Sequence, residues 1–158
     1  MKQYCVKPIG WIRVTETGMS IELEKAYRPA LEAIDGFSHL NVIWWFSDFD
    51  TEEARSVLTV PRPYRKAPEQ MGILATRSPV RPNPIALSTV QVCGLDHSTG
   101  TIEIAWIDAH DGSPVIDIKP YTPSMDRVES PGVPDWCAHW PGNIETSGEF
   151  DWSDEFEF

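Results

Sequence analysis

The sequence predicts an all-β fold, in the form of a single small barrel or a strongly curved sheet. Short segments rich in β-branched and aromatic residues recur along the chain, and clusters of turn residues separate them. Helix signals are confined to short stretches. The 14 prolines among 158 residues also favour short elements, because proline donates no backbone hydrogen bond. A chain of this length buries a core without disulfides, so we expect one domain.

The first part of the chain predicts two short strands, one helical turn and one buried strand. Residues 9–14 and 21–23 are rich in apolar and β-branched side chains, which is typical of strands. Between Arg28 and Gly36, a proline near the start and a glycine at the end predict a short helix or turn. Residues 41–46 form an apolar run that is typical of a central strand buried on both faces.

The middle of the chain alternates between acidic, proline-rich and apolar segments. Asp50 and Glu53 have the spacing of a capping pair for a short helical turn. We expect an edge strand at residues 56–60 and another strand at residues 72–75. Residues 61–70 lie between them and predict an open loop.

The later part of the chain predicts longer strands. Residues 85–94 are rich in β-branched side chains, and residues 101–107 alternate between apolar and polar positions after a turn at 96–100. These two strands therefore form a hairpin. Residues 114–121 predict a further strand.

The stretch at residues 71–88 holds the strongest chemical signal. It places Arg77, Arg81 and Asn83 in a loop whose prolines favour an extended, stiff backbone. Two guanidiniums and one amide at fixed spacing suit the recognition of a carboxylate, a phosphate or a nucleobase edge. The alternative is a proline-rich turn with solvated arginines, and the local chemistry favours neither.

A second candidate site lies in the last predicted strand. Asp117 and Lys119 are two residues apart, so their side chains point to one face, whereas Ile116 and Ile118 point to the other. With Tyr121 they form either an acid and a base facing a shared pocket, or a surface ion pair of little energetic weight.

The histidines and cysteines do not predict a metal site. His39, just before the buried strand, is more typical of a structural histidine than of a catalyst. His110 lies near two aspartates in a turn, where a base, a metal ligand and a merely exposed side chain remain alternatives. Cys5, Cys93 and Cys137 lack the spacing of a zinc site or a disulfide framework, so we expect free thiols in a reducing compartment.

Other common sites and targeting segments lack support. The sequence contains no GxGxxG after a strand, no P-loop and no GxSxG motif. The N-terminus lacks the pattern of a secretory signal, and the longest apolar run, at residues 42–46, is too short to cross a membrane. We therefore expect a cytoplasmic protein without a membrane partner.

The net charge of −11 is unevenly distributed. No Lys or Arg follows Arg127, whereas eight acids do. We therefore predict a barrel domain at residues 1–127 and an acidic tail at residues 128–158. Three tryptophans are expected to pin this tail, so that it is not freely disordered, namely Trp136, Trp140 and Trp152.

Between residues 55 and 81 the charge balance reverses, with six bases against one acid. Such a patch steers a polyanion, although the acidic tail opposes a nucleic acid at long range. A solvated basic loop explains the charge equally well.

Several motifs occur in the order found in a known family. They are PIG at residues 8–10, GFSHL at 36–40, ATRSP at 75–79 with RPNPI at 81–85, and DGSPV at 111–115 with DIKPY at 117–121. Over residues 6–124 the chain resembles the TsaA-like or TrmO family of S-adenosylmethionine-dependent methyltransferases.

The resemblance implies a β-barrel in place of the usual Rossmann fold, working as a homodimer with S-adenosylmethionine near the subunit interface. It also implies N6-methylation of threonylcarbamoyladenosine at position 37 of certain tRNAs. Ser47 departs from the family pattern, because many members have His at this position. Ala86 and Ser113 are further departures, where Gly and Thr are usual.

The resemblance also implies roles for individual positions. Cofactor contacts fall on Arg77, Leu87, Ala105, Trp106, Ile107, Asp108, Ser47 and Asp48. Substrate binding and catalysis fall on Arg81, Asn83, Asp117, Lys119 and Tyr121. As hypotheses, Arg77 holds the methionine carboxylate and Asp108 holds the ribose or the ammonium. Asp117, or Tyr121 beside Lys119, accepts the proton of the acceptor nitrogen.

Two other interpretations remain. One is an S-adenosylmethionine-dependent enzyme that methylates a small molecule, which suits the acidic tail. The other is a non-catalytic barrel that binds a ligand as a sensor or an interaction module. Retained cofactor affinity without methyl transfer to any acceptor favours this last interpretation.

Overall fold

The structure is a computed structural model that describes residue 2 and residues 4–157, and it confirms the all-β prediction. Its strands are β1 (Gly10–Thr15), β2 (Gly18–Leu23), β3 (His39–Trp45), β4 (Thr59–Pro61), β5 (Gln70–Gly72), β6 (Ile85–Asp96), β7 (Thr101–Ile104) and β8 (Pro114–Pro120). Short helices are α1 (Glu52–Ser56), α2 (Pro123–Asp126) and α3 (Ile144–Ser147), with 3₁₀ turns at Lys25–Leu31, Ser47–Phe49, Ile73–Ala75, Asp135–Cys137 and Trp152–Asp154. Strands β4 and β5 pair with each other, and the other strands close into an antiparallel barrel in the order β1-β2-β7-β6-β3-β8.

The barrel core is filled by alternate side chains of its strands. In β3, Leu40, Val42 and Trp44 point into the core, and the residues between them point outward. The prediction that this strand is buried on both faces is therefore wrong, because a barrel covers only the inner face. The barrel closes between β1 and β8, where Gly10 pairs with Val115.

The antiparallel order places the last residues of some strands beside the first residues of their neighbours. Strands β1, β3 and β7 finish at one end of the barrel, where β2, β6 and β8 begin. We call this end the rim. Residues 46–84 join β3 to β6, and residues 105–113 join β7 to β8, so both connections start and finish at the rim. The predicted site residues in these connections therefore lie in two segments that are anchored at the same end of the barrel.

The 46–84 connection departs most from the prediction. The strand expected at residues 72–75 is wrong, because β5 ends at Gly72 and Ile73–Ala75 form a 3₁₀ turn. The capping role expected of Asp50 is also wrong, because Thr51 is the N-cap residue of α1 and its side chain accepts a hydrogen bond from the first turn. The expected edge strand exists as the short β4, which pairs with β5.

The acidic tail packs against the 46–84 connection. Trp136 and Trp140 both contact Tyr64, with ring centroids 5.6 Å and 5.0 Å away. Trp152 contacts Trp140 at 5.3 Å. The expectation is confirmed for Trp136 and Trp140, whereas the ring contact of Trp152 with Trp140 lies within the tail. Among the described residues, no helix has the length and apolar character needed to cross a membrane.

Candidate functional site

Strands β6, β3 and β8 lie side by side and present an outer face at which predicted site residues meet. Ile43 pairs with Leu87 of β6 on one side and with Asp117 of β8 on the other. Directly opposed residues of antiparallel strands point to the same side of a sheet. Val42 and Trp44 point into the core, so this row points outward. The register therefore places a predicted cofactor position and a predicted catalytic position on one surface.

The next row of this surface is polar and hydrogen-bonded. Asn41 pairs with Thr89 on β6 and with Lys119 on β8. The Thr89 hydroxyl donates to Asn41 Oδ1 at 2.7 Å, and Asn41 Nδ2 donates to Asp126 Oδ1 at 2.9 Å. We call these two rows the site face. Sequence reasoning missed Asn41 and Thr89, although a polar residue at an outward position of an apolar strand is a usable signal.

Asp117 and Lys119 share this face, as predicted, and form an ion pair. Lys119 Nζ donates to Asp117 Oδ2 at 2.8 Å, and the N–H of Ile118 donates to Asp117 Oδ1 at 3.0 Å. The hydrogen bond to Asp117 raises the pKa of Lys119, so the ammonium stays charged. Both side chains remain accessible to a ligand. Ile118 packs against the core as predicted, whereas Ile116 lies where the pairing of β8 with β3 is irregular.

Tyr121 follows β8 and stays next to the site face. Its backbone N–H donates to His39 O at 3.0 Å, and the two ring centroids lie 6.3 Å apart. His39 Nδ1 shares a hydrogen bond with the Ser38 hydroxyl at 2.9 Å. These contacts agree with a structural role for His39 and place Tyr121 at the end of the site face away from the rim.

The proline-rich loop is held by hydrogen bonds from its own side chains. Arg81 Nη1 donates to Thr76 O and to Ser78 O, both at 3.3 Å. The buried Thr76 hydroxyl accepts a hydrogen bond from the N–H of Ser78 at 3.2 Å. The guanidinium of Arg81 therefore stabilises the loop, while Arg77 and Asn83 are exposed to solvent.

A histidine whose role the sequence left open joins the two rim connections. His110 Nδ1 and Asp48 Oδ2 lie 2.5 Å apart, which links residues 105–113 to the turn after β3. Both side chains are exposed, and so is the neighbouring Ser47. In the part of the chain that the structure describes, no cluster of three or more His, Cys, Asp or Glu residues is arranged to hold a metal ion.

The predicted cofactor segment at residues 105–108 lies just beyond the sheet. β7 ends at Ile104, so the strand predicted to reach Ile107 is too long. Ile107 is buried in the core, and its backbone N–H donates to Met19 Sδ at 3.3 Å, so its side chain is not available to a ligand at the surface. The exposed residues of the segment are Ala105, Trp106 and Asp108.

Fold and site together define a small β-barrel protein whose candidate site lies outside the barrel, across three strands and the adjoining rim connections. A family described as the tRNA-methyltransferase O N-terminal domain matches residues 6–127. The chain belongs to this family. The matched range contains every predicted site residue, from Ser47 to Tyr121.

The fraction of a relative's length that aligns with this chain differs from one relative to another. The S-adenosyl-L-methionine-binding protein of Archaeoglobus fulgidus is 36% identical over 116 residues, which cover 73% of this chain and 78% of the relative. The tRNA (adenine(37)-N6)-methyltransferase of Escherichia coli is 39% identical over 103 residues, which cover 63% of this chain and 42% of the enzyme. The crystal structure of TrmO from Pseudomonas aeruginosa has a TM-score of 0.62 and 28% identity, covering 83% of this chain and 62% of that chain. The chain thus spans most of the archaeal relative and less than two thirds of either bacterial protein.

Proposed function

We propose that this chain is an S-adenosylmethionine-dependent methyltransferase that methylates N6 of threonylcarbamoyladenosine at position 37 of tRNA. The family match over residues 6–127 carries the proposal, because that range spans the site face and both rim connections. Relatives of this chain are named for S-adenosyl-L-methionine binding and for methylation of adenine 37 of tRNA. Because a barrel fold alone is compatible with many functions, the proposed function also depends on the residues of the site.

The exposed residues near the rim fit the chemistry of the proposed cofactor. S-adenosylmethionine carries a carboxylate, an ammonium, a ribose diol and an aromatic base. Arg77 is an exposed guanidinium suited to the carboxylate, and Asp108 is an exposed carboxylate suited to the ammonium or the ribose. Leu87 and Trp106 are 48% and 63% exposed and offer apolar surface to the base. The remaining proposed contacts are Ser47, Asp48, Ala105 and the main chain of Ile107.

When bound, the cofactor supplies an electrophilic methyl group, and the residues of this chain orient the acceptor and remove its proton. The acceptor nitrogen is a weak nucleophile while it keeps that proton, so a base within reach accelerates the transfer. Asp117 is the proposed base, and Lys119 holds its carboxylate in place. Tyr121 is the alternative base. Asn83 contacts the acceptor through its exposed amide, and Arg81 keeps the loop in shape.

We also propose that two copies associate through the outer surface of β6. Ile85 and Leu87 are 45% and 48% exposed at successive outward positions of this strand. Such an apolar strip is more stable when another protein surface covers it.

In the proposed function, residues 1–127 form the catalytic barrel and residues 128–158 form an accessory tail. The protein acts in the cytoplasm, where tRNA is modified.

A small-molecule acceptor is the second candidate, and the charge pairing of the basic stretch favours it. Arg65 donates to both carboxylate oxygens of Asp154 in the tail, at 2.8 Å and 2.7 Å. Arg55 Nε donates a single hydrogen bond to Asp50 Oδ1, at 2.5 Å. Acids therefore neutralise part of the surface that would attract a polyanion.

Methyl transfer from labelled S-adenosylmethionine separates the two acceptors. The substrates are a tRNA that carries threonylcarbamoyladenosine at position 37, the same tRNA without the threonylcarbamoyl group, and the free modified nucleoside. We expect label in the modified tRNA alone. Equal transfer to the free nucleoside supports a small-molecule enzyme, and cofactor binding without transfer to any of the three contradicts the proposed tRNA activity.

A further inference from the structure

Asp126, a residue that the proposed function does not use, is bonded to the polar row of the site face. It is the last residue of α2, the short helix that follows β8. Asp126 is exposed, yet both of its carboxylate oxygens accept hydrogen bonds. Oδ1 accepts from Asn41 Nδ2 at 2.9 Å, and Oδ2 accepts from the backbone N–H of Thr122 at 2.7 Å. Because hydrogen bonds to a charged acceptor are stronger than those between neutral groups, this carboxylate ties the turn after β8 to β3.

The partner of Asp126 on β3 has a fixed orientation. An ionised carboxylate only accepts hydrogen bonds, so the amide nitrogen of Asn41 must face Asp126. The amide oxygen of Asn41 then faces β6, where it accepts the Thr89 hydroxyl at 2.7 Å. A continuous line of hydrogen bonds therefore runs from β6 across β3 to the turn after β8, and every donor in it meets an acceptor.

This line of hydrogen bonds ends beside Tyr121. The backbone N–H of Tyr121 donates to His39 O at 3.0 Å, and the N–H of the next residue, Thr122, donates to Asp126. The N–H of Asp126 donates back to Thr122 O at 2.9 Å and closes the turn. The main chain is therefore held on both sides of the Tyr121 side chain. A held main chain reduces the entropy that is lost when this side chain contacts a ligand.

We propose that Asp126 is a positioning residue for the acceptor side of the site, which it serves by tying the Tyr121–Thr122 segment to Asn41. The inference rests on the proposed function, because it takes Tyr121 as a residue that contacts the acceptor. Asp126 does not touch the reacting atoms in this assignment. It acts through the direction that it gives to Tyr121.

Asp126→Ala removes both hydrogen bonds of the carboxylate. In the free protein, the Thr122 amide should exchange with solvent faster than in the wild type. The kcat/KM for modified tRNA should fall by about threefold to tenfold, which is the effect of about one hydrogen bond, while the affinity for S-adenosylmethionine stays the same.

Asp96→Ala is the matched control. The Asp96 carboxylate also accepts backbone N–H groups, those of Ser98 and Thr99, but it does so in the turn between β6 and β7. This variant should leave both kcat/KM and the exchange of the Thr122 amide unchanged.

An exchange of the two side chains tests the bond between positions 41 and 126. Asn41→Asp alone places two carboxylates in contact and should lower kcat/KM. In an Asp126→Asn background, the same substitution restores a carboxylate opposite an amide, and it should raise kcat/KM. Lys119 pairs with position 41 in both backgrounds, so its response to the new charge does not by itself reverse the sign of the effect.

A second double-mutant cycle tests whether Asp126 acts through Tyr121. If it does, Asp126→Ala causes little further loss of kcat/KM once Tyr121→Ala has removed the ring. A loss that is equally large with and without the ring overturns the positioning role.

The outcomes separate this inference from the proposed function. Wild-type exchange at Thr122, or wild-type kcat/KM, in Asp126→Ala overturns the positioning role and leaves the methyltransferase proposal intact. An effect of Asn41→Asp that has the same sign in both backgrounds also overturns it. A wild-type protein that transfers no methyl group to modified tRNA overturns the proposed tRNA activity, and the positioning role falls with it.

Discussion

Replacing Asp117 with Asn tests the catalytic assignment, because the amide keeps the shape of the side chain and removes its negative charge. Asp117 Oδ1 accepts the N–H of Ile118 at 3.0 Å, an interaction that the amide oxygen of Asn retains. Asp117 Oδ2 holds Lys119 Nζ at 2.8 Å, and this ion pair is lost. The two side chains are 47% and 62% exposed, so water already screens the pair.

The expected structural cost is therefore small, and the expected catalytic cost is large. We expect the thermal midpoint to move by no more than about 2 °C, since exposed ion pairs contribute little to a chain of this length. Loss of a positioned base should lower turnover by about 10²-fold to 10⁴-fold. The affinity for S-adenosylmethionine should change by less than about twofold, because the charge that is removed acts on the acceptor.

Initial rates of methyl transfer to modified tRNA measure the turnover, and calorimetry of the same preparation measures the cofactor affinity. Glu103→Gln, which neutralises an exposed carboxylate on β7, is the matched control and should leave both values unchanged. Wild-type turnover in Asp117→Asn refutes the role of Asp117 as the base. Tyr121→Phe then tests the alternative base by the same two measurements.

Three further predictions concern the fold and the tail. Gly10→Ala should destabilise the protein by about 1–3 kcal/mol in urea unfolding, because the new Cβ meets backbone of β2, including Leu23 Cα at 2.9 Å; an unchanged midpoint contradicts this. Glu155 is buried, which raises its pKa, but the hydrogen bond from His139 and the neighbouring indole outweigh burial and the net pKa is lowered. The contribution of Glu155 to stability is therefore present above its ordinary pKa of 4.5 and is lost as the pH falls through its lowered pKa. In urea unfolding, the wild type should be more stable than Glu155→Gln at pH 7, and this difference in stability should disappear at low pH. Burial also raises the pKa of Cys137, so a thiol reagent should label it far more slowly than the other two cysteines until denaturant is added; equal rates contradict its burial.

The strands of the barrel were predictable because each of them carries its own local signal. The long β6 and the hairpin with β7 follow from β-branched residues and a turn, and both occur close to their predicted positions. The strand predicted at residues 72–75 was wrong because that prediction also used only the local sequence. Its apolar residues look like a strand, but Ile73 is drawn into the core and the chain turns there to lead into the Arg77 loop.

The relation between the site residues depends on long-range pairing, which local patterns do not encode. Leu87 and Asp117 lie 30 positions apart and meet only because both pair with Ile43. The partner of the tail tryptophans is likewise distant in sequence, because Tyr64 precedes them by more than 70 positions. The spacing of Asp117 and Lys119 was predictable, since alternation along a single strand determines which face they share.

Calorimetric titration of the cofactor-stripped protein with S-adenosylmethionine tests the central claim most directly. The Arg77→Ala variant is titrated in parallel, with Arg62→Ala as the matched control, because Arg62 is also exposed and lies in the same connection. We predict micromolar binding by the wild type and by Arg62→Ala, and loss of binding in Arg77→Ala. An absence of binding by the folded wild type contradicts the methyltransferase assignment, and equal binding by all three proteins contradicts the placement of the donor at Arg77.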